Sequence, residues 1–443
     1  MIWHGLPSRT WTGRKRFLVV ASWLFYMGWR AWPVLLLIGT TLVDFAVGRA
    51  LERTRAPLAR RLLVTASVCT NLGLLGWFKY ANFVGGALAP LVGPRWQHLL
   101  EVMLPIGISF YTFESLSYVI DVYRGEPASR RLDDFALFLA FFPHLVAGPI
   151  VRPAQFLPQL ATPPAVGVTQ VEDALARIAT GFTKKLLLAD TLAATADVVF
   201  TSPQMHGGLM TLVGMYAYAF QIYFDFSGYT DIAIGAAGLF GFRLPENFDR
   251  PYTATTLREF WQRWHVSLST WLRDYLYVPL GGNRGGRWLT LRNLFLTMLL
   301  GGLWHGPAWN FVLWGGYHGA LLGAERLLGV DAPRTPAGRR WRQAVTFHLV
   351  VLGWVVFRTP TLMQAGAVLT SLARPAAEPW GNVIEPGVLV LIAVLLHLAP
   401  SAAEVRRRFV AATPWQQGLA HAAVVTAVVL LSPGTTPFIY FQF

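Results

Sequence analysis

The stretch LTLRNLFLTMLLGGLWHGPAWNFVLWGGYHGALL, residues 289–322, decides the fold. It consists of two apolar arms that are joined at His305-Gly306-Pro307. Proline lacks an amide donor and its ring clashes with the preceding helical turn, so the first helix ends here. Irregular backbone inside a membrane persists only where protein or a water-filled cavity surrounds it. The stretch therefore predicts a buried helical hairpin with His305 near its apex.

The depth of His305 follows from its place along the first arm. Arg292 belongs near the cytoplasmic interface, and His305 lies roughly 20 Å further along at 1.5 Å per residue. Because the hydrocarbon core is about 30 Å thick, the imidazole lies somewhat beyond the midplane. A desolvated histidine is neutral and can accept a proton from a hydroxyl. An ionisable group at this depth indicates a functional site; the alternative is a structural histidine that donates to a carbonyl.

The composition of the whole chain indicates a membrane protein. Of its 443 residues, 54% are hydrophobic and only 14% are charged, whereas soluble domains carry about 25% charged residues. We predict one all-α, polytopic transmembrane domain over residues 1–443, with roughly nine to eleven membrane helices of about 20 residues, some of them re-entrant. The candidate apolar segments are Phe17–Trp29, Pro33–Val47, Leu62–Val84, Phe135–Val151, Leu209–Phe242, Val345–Phe357, Gly387–Ala399 and Leu419–Leu431.

The net charge of +14 is concentrated in short loops between the apolar segments. This distribution is typical of the positive-inside rule, which places basic loops in the cytoplasm, and it argues against nucleic-acid binding. Residues 201–208 and 376–386 contain no Lys or Arg, so we expect them outside, together with the tail 432–443. The basic loops contain Arg49, Arg53, Arg55, Arg60 and Arg61, then Arg334, Arg339, Arg340 and Arg342, and finally Arg406–Arg408.

The sequence contains no pattern for a metal or for a nucleotide-binding loop. Cys69 is the only cysteine, which excludes an intramolecular disulfide and a cysteine-based zinc site. Histidine pairs with metal-ligand spacing, a Gly-x-Ser-x-Gly elbow and a P-loop are absent as well. We therefore predict no metal and no bound cofactor.

A second informative stretch is LREFWQRWHVSLSTWLRDY, residues 257–275. Its apolar residues recur every three or four positions, which predicts an amphipathic helix at the membrane interface or against the bundle. His265 lies beside the aromatic stripe of this helix and is either an interfacial or a functional histidine. The loop GGNRGGR, residues 281–287, is either a turn or a phosphate site in which Arg284 and Arg287 assist backbone amides.

Further polar residues lie within apolar segments. Asp225 and Asp231 are six residues apart and do not share a helix face well. We expect one of them to accept from a buried Arg or His; hydrogen bonding to neighbouring helices is the alternative. His318, in the second hairpin arm, is either a packing residue or a tunnel residue. The candidate tunnel or donor-binding residues are Trp304, Asn310, Ser267, Ser269, Arg284, Arg287, Asp225 and His318.

Several motifs from about residue 104 onward are very specific when they are taken together. They are LPIGISFYTFESLSYVIDVYRG, FFPHLVAGPIVRP, GFTKKLLLAD, QIYFDFSGYTDIAIG, GFRLPENFDRPY, RWHVSLSTWLRDYLYVPLGGNR, GGLWHGPAWNFVLWGGYHG and PFIYFQF. With them the chain resembles the membrane-bound O-acyltransferase (MBOAT) family, most of all the branch of alginate O-acetylation. Peptidoglycan O-acetylation and teichoic-acid D-alanylation proteins are relatives of that branch. The resemblance implies that His305, in LWHG, is the catalytic histidine and that His265, in RWHVSLS, is a second polar residue of the site.

The resemblance also implies how such a protein works. A central tunnel would join a cytoplasmic donor, acetyl-coenzyme A, to the outer face of the bacterial inner membrane, where a secreted or periplasmic partner acyltransferase completes transfer to an exported glycan. We expect an O-acyltransferase for an exported polysaccharide such as alginate; peptidoglycan or another envelope glycan is the alternative acceptor. A proton-coupled transporter is disfavoured because inverted repeats are not evident, and a non-catalytic scaffold is a further alternative.

The C-terminal tail from Thr436 to Phe443 is short and aromatic. Its Tyr440 is either an anchor at the level of the lipid headgroups or a transient acyl carrier between His305 and the secreted partner. Covalent relay of this kind divides one difficult transfer into two easier ones.

Overall fold

A computed structural model describes residues 10–93, 104–331, 333–375, 378–400, 402–432, 434 and 436–439. Helices dominate these ranges, which contain no β-strand, only an isolated antiparallel bridge between Phe248 and Trp264. The all-α prediction is confirmed. The helices are α1 (Trp11–Met27), α2 (Val34–Arg53), α3 (Pro57–Leu75), α4 (Ala81–Val92), α5 (Ile108–Arg124), α6 (Leu132–Ala140), α7 (Phe142–Leu145), α8 (Pro153–Phe156), α9 (Val168–Phe182), α10 (Asp190–Thr201), α11 (Gly208–Leu239), α12 (Leu257–Arg263), α13 (Val266–Leu272), α14 (Gly286–His305), α15 (Trp309–Leu327), α16 (Pro336–Arg358), α17 (Leu362–Ser371), α18 (Gly381–Leu398), α19 (Ala402–Val410) and α20 (Pro414–Leu431). Turns of π-helix follow α3 (Gly76–Tyr80), α9 (Thr183–Ala189) and α13 (Arg273–Tyr277).

Four helices in the described ranges are long and apolar enough to cross a membrane. They are Val34–Arg53, Pro57–Leu91, Gly381–Leu398 and Pro414–Leu431. The last of these, α20, has no fully buried residue. Several long apolar helices agree with a polytopic membrane protein. The number of nine to eleven spans, the tunnel and the single domain over 1–443 stay predictions.

The chain forms two compact units, of which the first comprises the described residues up to 175 and residues 233–245. Its helices α2, α3 and α5 are joined by a buried carboxylate. Asp44 accepts from Ser67 at 2.5 Å, from Asn71 at 2.7 Å and from Ser115. A buried carboxylate needs hydrogen-bond donors, because no water replaces them inside an apolar bundle. These contacts therefore fix the three helices to one another.

The second unit comprises residues 176–232 and the chain from 246 onward. Its core is rich in fully buried aromatic side chains, among them Tyr218, Trp264, Trp314 and Trp354. Rings of this size bury large apolar areas and pack edge to face or offset. The aromatic core of this unit surrounds both histidines that the sequence singles out.

The predicted hairpin of residues 289–322 is confirmed within this unit. Helix α14 ends at His305, and α15 begins at Trp309 after a short turn. The two arms approach closely at two glycines. A Cβ atom on Gly302 would lie 2.3 Å from the Phe311 carbonyl oxygen, and one on Gly315 would lie 2.4 Å from that of Met298. Only glycine allows backbones to come this near.

The amphipathic stretch 257–275 differs from the prediction, because it is not one helix. It breaks between α12 and α13 at His265, whose φ of 43° is left-handed. The loop before it supplies competing hydrogen bonds: Asn247 accepts from Val266 N through its carbonyl at 3.0 Å and from Ser267 N through Oδ1 at 3.1 Å. A side-chain oxygen that accepts from amides at a helix start stabilises that start. Asn247 therefore stabilises the start of a separate helix, α13, at a point where the apolar periodicity predicts that one helix continues.

Candidate active site

His305 is the last residue of α14 and lies at the apex of the hairpin. Its side chain is buried, with the residue 7% exposed, and its ring centre lies 5.0–5.3 Å from those of Trp304, Trp314 and Phe357. The next residue fixes the turn, since a Cβ atom on Gly306 would lie 2.3 Å from the Phe311 ring. The imidazole is therefore held in place by an apolar, aromatic surrounding.

His265 lies on a different element and is fully buried. Its ring centre is 4.7 Å from that of Phe226 and 6.0 Å from that of Trp304. A left-handed conformation at a residue other than glycine costs free energy and persists only where the surroundings enforce it, often at functional sites. Trp304 thus contacts both histidines, and the structure brings together the two residues that the sequence singled out.

A cavity of about 480 Å³ borders His305. Its wall is mostly apolar and includes Leu268, Met298 and Trp314. The same cavity is lined by charged and polar residues, namely Arg258, Gln262, Ser269, Arg273, Asn283, Glu325 and Arg326. A ligand with an apolar part and an anionic part matches this lining.

Tyr277 also lines this cavity, near two of its arginines. Burial raises the pKa of its phenol, and the nearby guanidinium groups of Arg326 and Arg258 oppose this rise. Glu325 is already engaged, because its carboxylate accepts from the backbone amides of Leu257 at 2.7 Å and Arg258 at 3.2 Å. Glu325 therefore binds the start of α12, while the guanidinium groups of Arg258 and Arg326 line the cavity.

A second polar cluster lies on α10, α11 and the π-helical turn after α9. The Lys185 ammonium is 2.7 Å from Asp225 Oδ1 and 2.7 Å from Asp190 Oδ1. Both carboxylates also contact the C-terminal segment: Asp225 Oδ2 accepts from Ile439 N at 2.8 Å, and Asp190 accepts from the Thr436 hydroxyl. Lys185 also donates to the Thr436 carbonyl at 3.0 Å. The tail is therefore bound within this unit up to residue 439.

Aromatic side chains connect this tail to the histidines. Phe438 stacks on Tyr229 at 4.7 Å and lies 5.9 Å from Phe226, measured between ring centres. Phe226 in turn contacts His265. One aromatic ring thus separates the C-terminal segment from the buried histidine.

Sequence comparisons identify the family to which this geometry belongs. The profile of the membrane-bound O-acyltransferase family, MBOAT, matches residues 129–357. The chain belongs to this family. It is therefore a polytopic membrane acyltransferase, and the prediction made from its motifs is confirmed.

This MBOAT chain has relatives whose names refer to alginate, peptidoglycan and teichoic acid. It is 49% identical over 361 residues to the probable alginate O-acetylase AlgI of Pseudomonas aeruginosa, covering 80% of this chain and 68% of that protein. The peptidoglycan O-acetyltransferase of Helicobacter pylori is 34% identical over 389 residues, 81% of this chain and 73% of the relative. The teichoic acid D-alanyltransferase of Streptococcus thermophilus is 30% identical over 286 residues, 57% and 68% of the two chains.

The structure separates the remaining site candidates of this MBOAT chain. Ser269 lines the cavity beside His305. Ser267 is buried and its amide is bound to Asn247. Asn310 fixes the start of α15 by donating to the Thr359 carbonyl at 3.1 Å.

His318 is fully buried between Trp261 and Trp314, with ring centres 5.2 and 5.0 Å away, and does not line the cavity.

Four candidates are not placed at the cavity. Arg284 and Arg287 are exposed and do not line the cavity, so their part in donor binding stays a prediction. Tyr440 lies outside the described residues. Asp225 does not line the cavity and binds Lys185 and the C-terminal segment instead. Asp231 accepts from the buried Arg177 at 3.0 Å, as expected for one of the two aspartates.

Sequence reasoning missed the arginines that do line the cavity. Arg258 and Arg273 are polar positions of the amphipathic stretch, and Arg326 follows the second hairpin arm. Their positions at the ends of apolar segments are a weak signal of a polar site, whereas the pattern of the glycine-rich loop is more typical of a phosphate site. Asn247, in the motif PENFDRPY, offered no signal because its role depends on contacts distant in sequence.

Proposed function

We propose that this protein moves an acetyl group from cytoplasmic acetyl-coenzyme A across the bacterial inner membrane for O-acetylation of an exported polysaccharide such as alginate. The observation that carries the proposal is a cavity of about 480 Å³ that joins a buried histidine, His305, to a group of arginines. Coenzyme A has phosphate groups at one end and a thioester at the other. The first suits guanidinium groups, and the second suits an apolar channel that ends at a general base.

In this proposal His305 acts as the general base. The neutral imidazole takes the proton of an acceptor hydroxyl while the hydroxyl oxygen attacks the thioester carbonyl. A carbon–oxygen bond forms, the carbon–sulfur bond breaks, and the imidazolium returns its proton to the thiolate of coenzyme A. His265 and Trp304 would orient the donor and stabilise the charge that develops, because fixed dipoles act strongly in a dry site.

The donor phosphates are assigned to Arg258, Arg273 and Arg326, which line the same cavity as His305. Charge-assisted hydrogen bonds to phosphate are among the strong ones and give salt-dependent affinity. Arg284 and Arg287 remain a second candidate for the same phosphates.

For the acceptor side we infer a relay. Tyr440 follows directly after Ile439 in the sequence, and Ile439 is bound to Asp225. The Tyr440 hydroxyl would accept the acetyl group as an ester and pass it to a secreted partner acyltransferase, which acetylates the glycan. This division of labour suits a bulky polymer that cannot reach a buried histidine.

Alginate is the proposed acceptor because a relative named for alginate is 49% identical over 80% of this chain. Peptidoglycan is the second candidate, supported by the Helicobacter pylori relative at 34% identity. Vesicles that contain the full chain and a secreted partner should receive labelled acetyl-coenzyme A on the cytoplasmic side, with alginate or peptidoglycan outside. Ester label on alginate supports the proposal, label on peptidoglycan alone selects the second candidate, and label on neither polymer contradicts both.

A further inference from the structure

We propose that Lys185, Asp190 and Asp225, here called the clasp, are positioning residues that hold the C-terminal segment 436–439 against the aromatic side chains around His265. This inference rests on the proposed function in one respect, namely that transfer takes place at His305. The contacts of the clasp stand independently of it. Phe438 and Ile439 are only 6% and 2% exposed, so the segment is packed into this unit.

The charges of the clasp explain why it needs the tail. Two buried carboxylates, Asp190 and Asp225, share the single ammonium of Lys185. The tail supplies two further donors: the Ile439 amide binds Asp225, and the Thr436 hydroxyl binds Asp190. A buried carboxylate that loses a donor is strongly disfavoured. The clasp is therefore complete only when the segment 436–439 occupies it.

The ion pair of the adjacent residue, Lys184, provides a contrast to the clasp. Lys184 lies 2.7 Å from Asp231, and Arg177 adds a second cation at 3.0 Å from the same carboxylate. This group contains more than one cation for its buried carboxylate, whereas the hydrogen bonds to Thr436 and Ile439 described above come from Lys185, Asp190 and Asp225. Of two adjacent lysines, only Lys185 serves the tail, so Lys184 is a matched control.

The held segment reaches the site through Phe438. Its ring stacks on Tyr229 and contacts Phe226, which packs against His265. None of the residues 436–439 lines the cavity that contains the arginines. Release of the segment should therefore disturb the surroundings of His265 and the acceptor step, while binding of the donor continues.

Two substitutions release the tail with little change in shape or size. Thr436→Val removes the hydroxyl that Asp190 accepts from, and Lys185→Met removes the shared cation. The matched controls are Thr191→Val, whose hydroxyl bonds only to Leu187 O within the helix at 2.8 Å, and Lys184→Met. Thermal unfolding of each purified protein verifies that it is folded before the comparison is made.

The first readout is the rate at which carboxypeptidase digests the C-terminus, followed by intact-protein mass spectrometry. Thr436→Val should accelerate digestion past residue 439 by about tenfold or more, a factor expected for loss of a hydrogen bond to a charged group. Thr191→Val and Lys184→Met should digest at the rate of the unmodified chain. Equal rates in Thr436→Val, Lys185→Met and the controls would overturn the clasp.

The second readout measures the maximal rate of acetyl transfer and the KM for the donor separately, in membrane vesicles. With labelled acetyl-coenzyme A and alginate, Thr436→Val should lower the maximal rate of transfer and leave the KM for the donor unchanged. Faster digestion with an unchanged rate of transfer would overturn the positioning role. If the unmodified chain transfers no acetyl at all, the proposed function fails, and the digestion result still decides whether the clasp holds the tail.

Discussion

His265 and His305 contact the same indole ring, that of Trp304, with ring centres 6.0 and 5.0 Å from it. One histidine begins α13 in a left-handed conformation, and the other ends α14 at the apex of a hairpin. Two breaks in helical structure therefore meet at one aromatic side chain. Backbone irregularity inside an apolar bundle must be enforced by its surroundings, which makes this meeting point the centre of the proposed chemistry.

Replacement of His305 by alanine tests the proposed base. His305→Ala should reduce acetyl transfer by about 10²–10⁴-fold, the usual loss when a general base is removed. Membrane insertion and donor binding should persist, since the imidazole is one small part of the wall. His348→Ala is the control, because that histidine is exposed and bonds to Tyr216 at 2.6 Å. Near-normal transfer by His305→Ala at matched protein levels would remove His305 from the mechanism.

Two substitutions at His265 separate its ring from its backbone. Asparagine tolerates the left-handed region, so His265→Asn should fold normally but impair transfer, less severely than His305→Ala. Valine is β-branched and does not tolerate this conformation, so His265→Val should lose about 1–3 kcal/mol of unfolding free energy. Thermal unfolding and transfer rates measure the two effects. Full activity in His265→Asn would leave His265 with a structural role only.

The hairpin shows how far sequence alone can lead. Two apolar arms and Gly306-Pro307 predict its turn, because proline and glycine act through local backbone geometry. The break at His265 escapes such reasoning, since the hydrogen bonds that cause it come from Asn247. Periodicity between 257 and 275 describes which face is apolar and contains no information about a partner loop.

The two aspartates of α11 also differ in whether the sequence predicts their partners. Asp231 pairs with a buried arginine, as intramembrane carboxylates are expected to do. Asp225 instead binds a lysine and a backbone amide of the C-terminal segment, 214 residues away in the chain. A backbone donor has no signature in a sequence, so this contact could come only from the structure.

Neutralisation of the cavity arginines tests donor binding. Combined replacement of Arg258, Arg273 and Arg326 by glutamine should raise the KM for acetyl-coenzyme A about tenfold or more and weaken its salt dependence. The comparison variant replaces Arg284 and Arg287 by glutamine, both of which are exposed outside the cavity. Donor titrations at two salt concentrations distinguish the sites. A large effect in the comparison variant alone would move the phosphates to the glycine-rich loop.

Replacement of one hydroxyl tests the relay at the chain end. Tyr440→Phe keeps an aromatic ring and removes only the oxygen that would form the ester. It should abolish acetyl transfer to the glycan, whereas the intact chain with labelled donor should yield an acetylated C-terminal peptide in mass spectrometry. Normal transfer by Tyr440→Phe, without any acetylated peptide in the intact chain, would reduce Tyr440 to an anchor.

The glycines of the hairpin give the most direct test of its geometry. Gly302→Ala and Gly315→Ala each place a Cβ atom within 2.4 Å of a backbone oxygen of the opposite arm. Because backbone cannot rotate away as a flexible side chain can, the arms must separate, and His305 at their apex must shift. Overpacking of this kind typically costs about 1–3 kcal/mol.

Gly316→Ala is the matched control on α15, the helix that contains Gly315, since its Cβ atom would lie 3.7 Å from the nearest atoms, the ends of the Leu299 and Phe295 side chains. Alanine in a helix interior is more favourable than glycine by roughly 0.5–1 kcal/mol. Gly316→Ala should therefore unfold at the same or a slightly higher temperature and retain transfer. Gly302→Ala and Gly315→Ala should unfold at a lower temperature and lose transfer. If all three variants behave alike, the arms are not in the close contact on which the position of His305 depends.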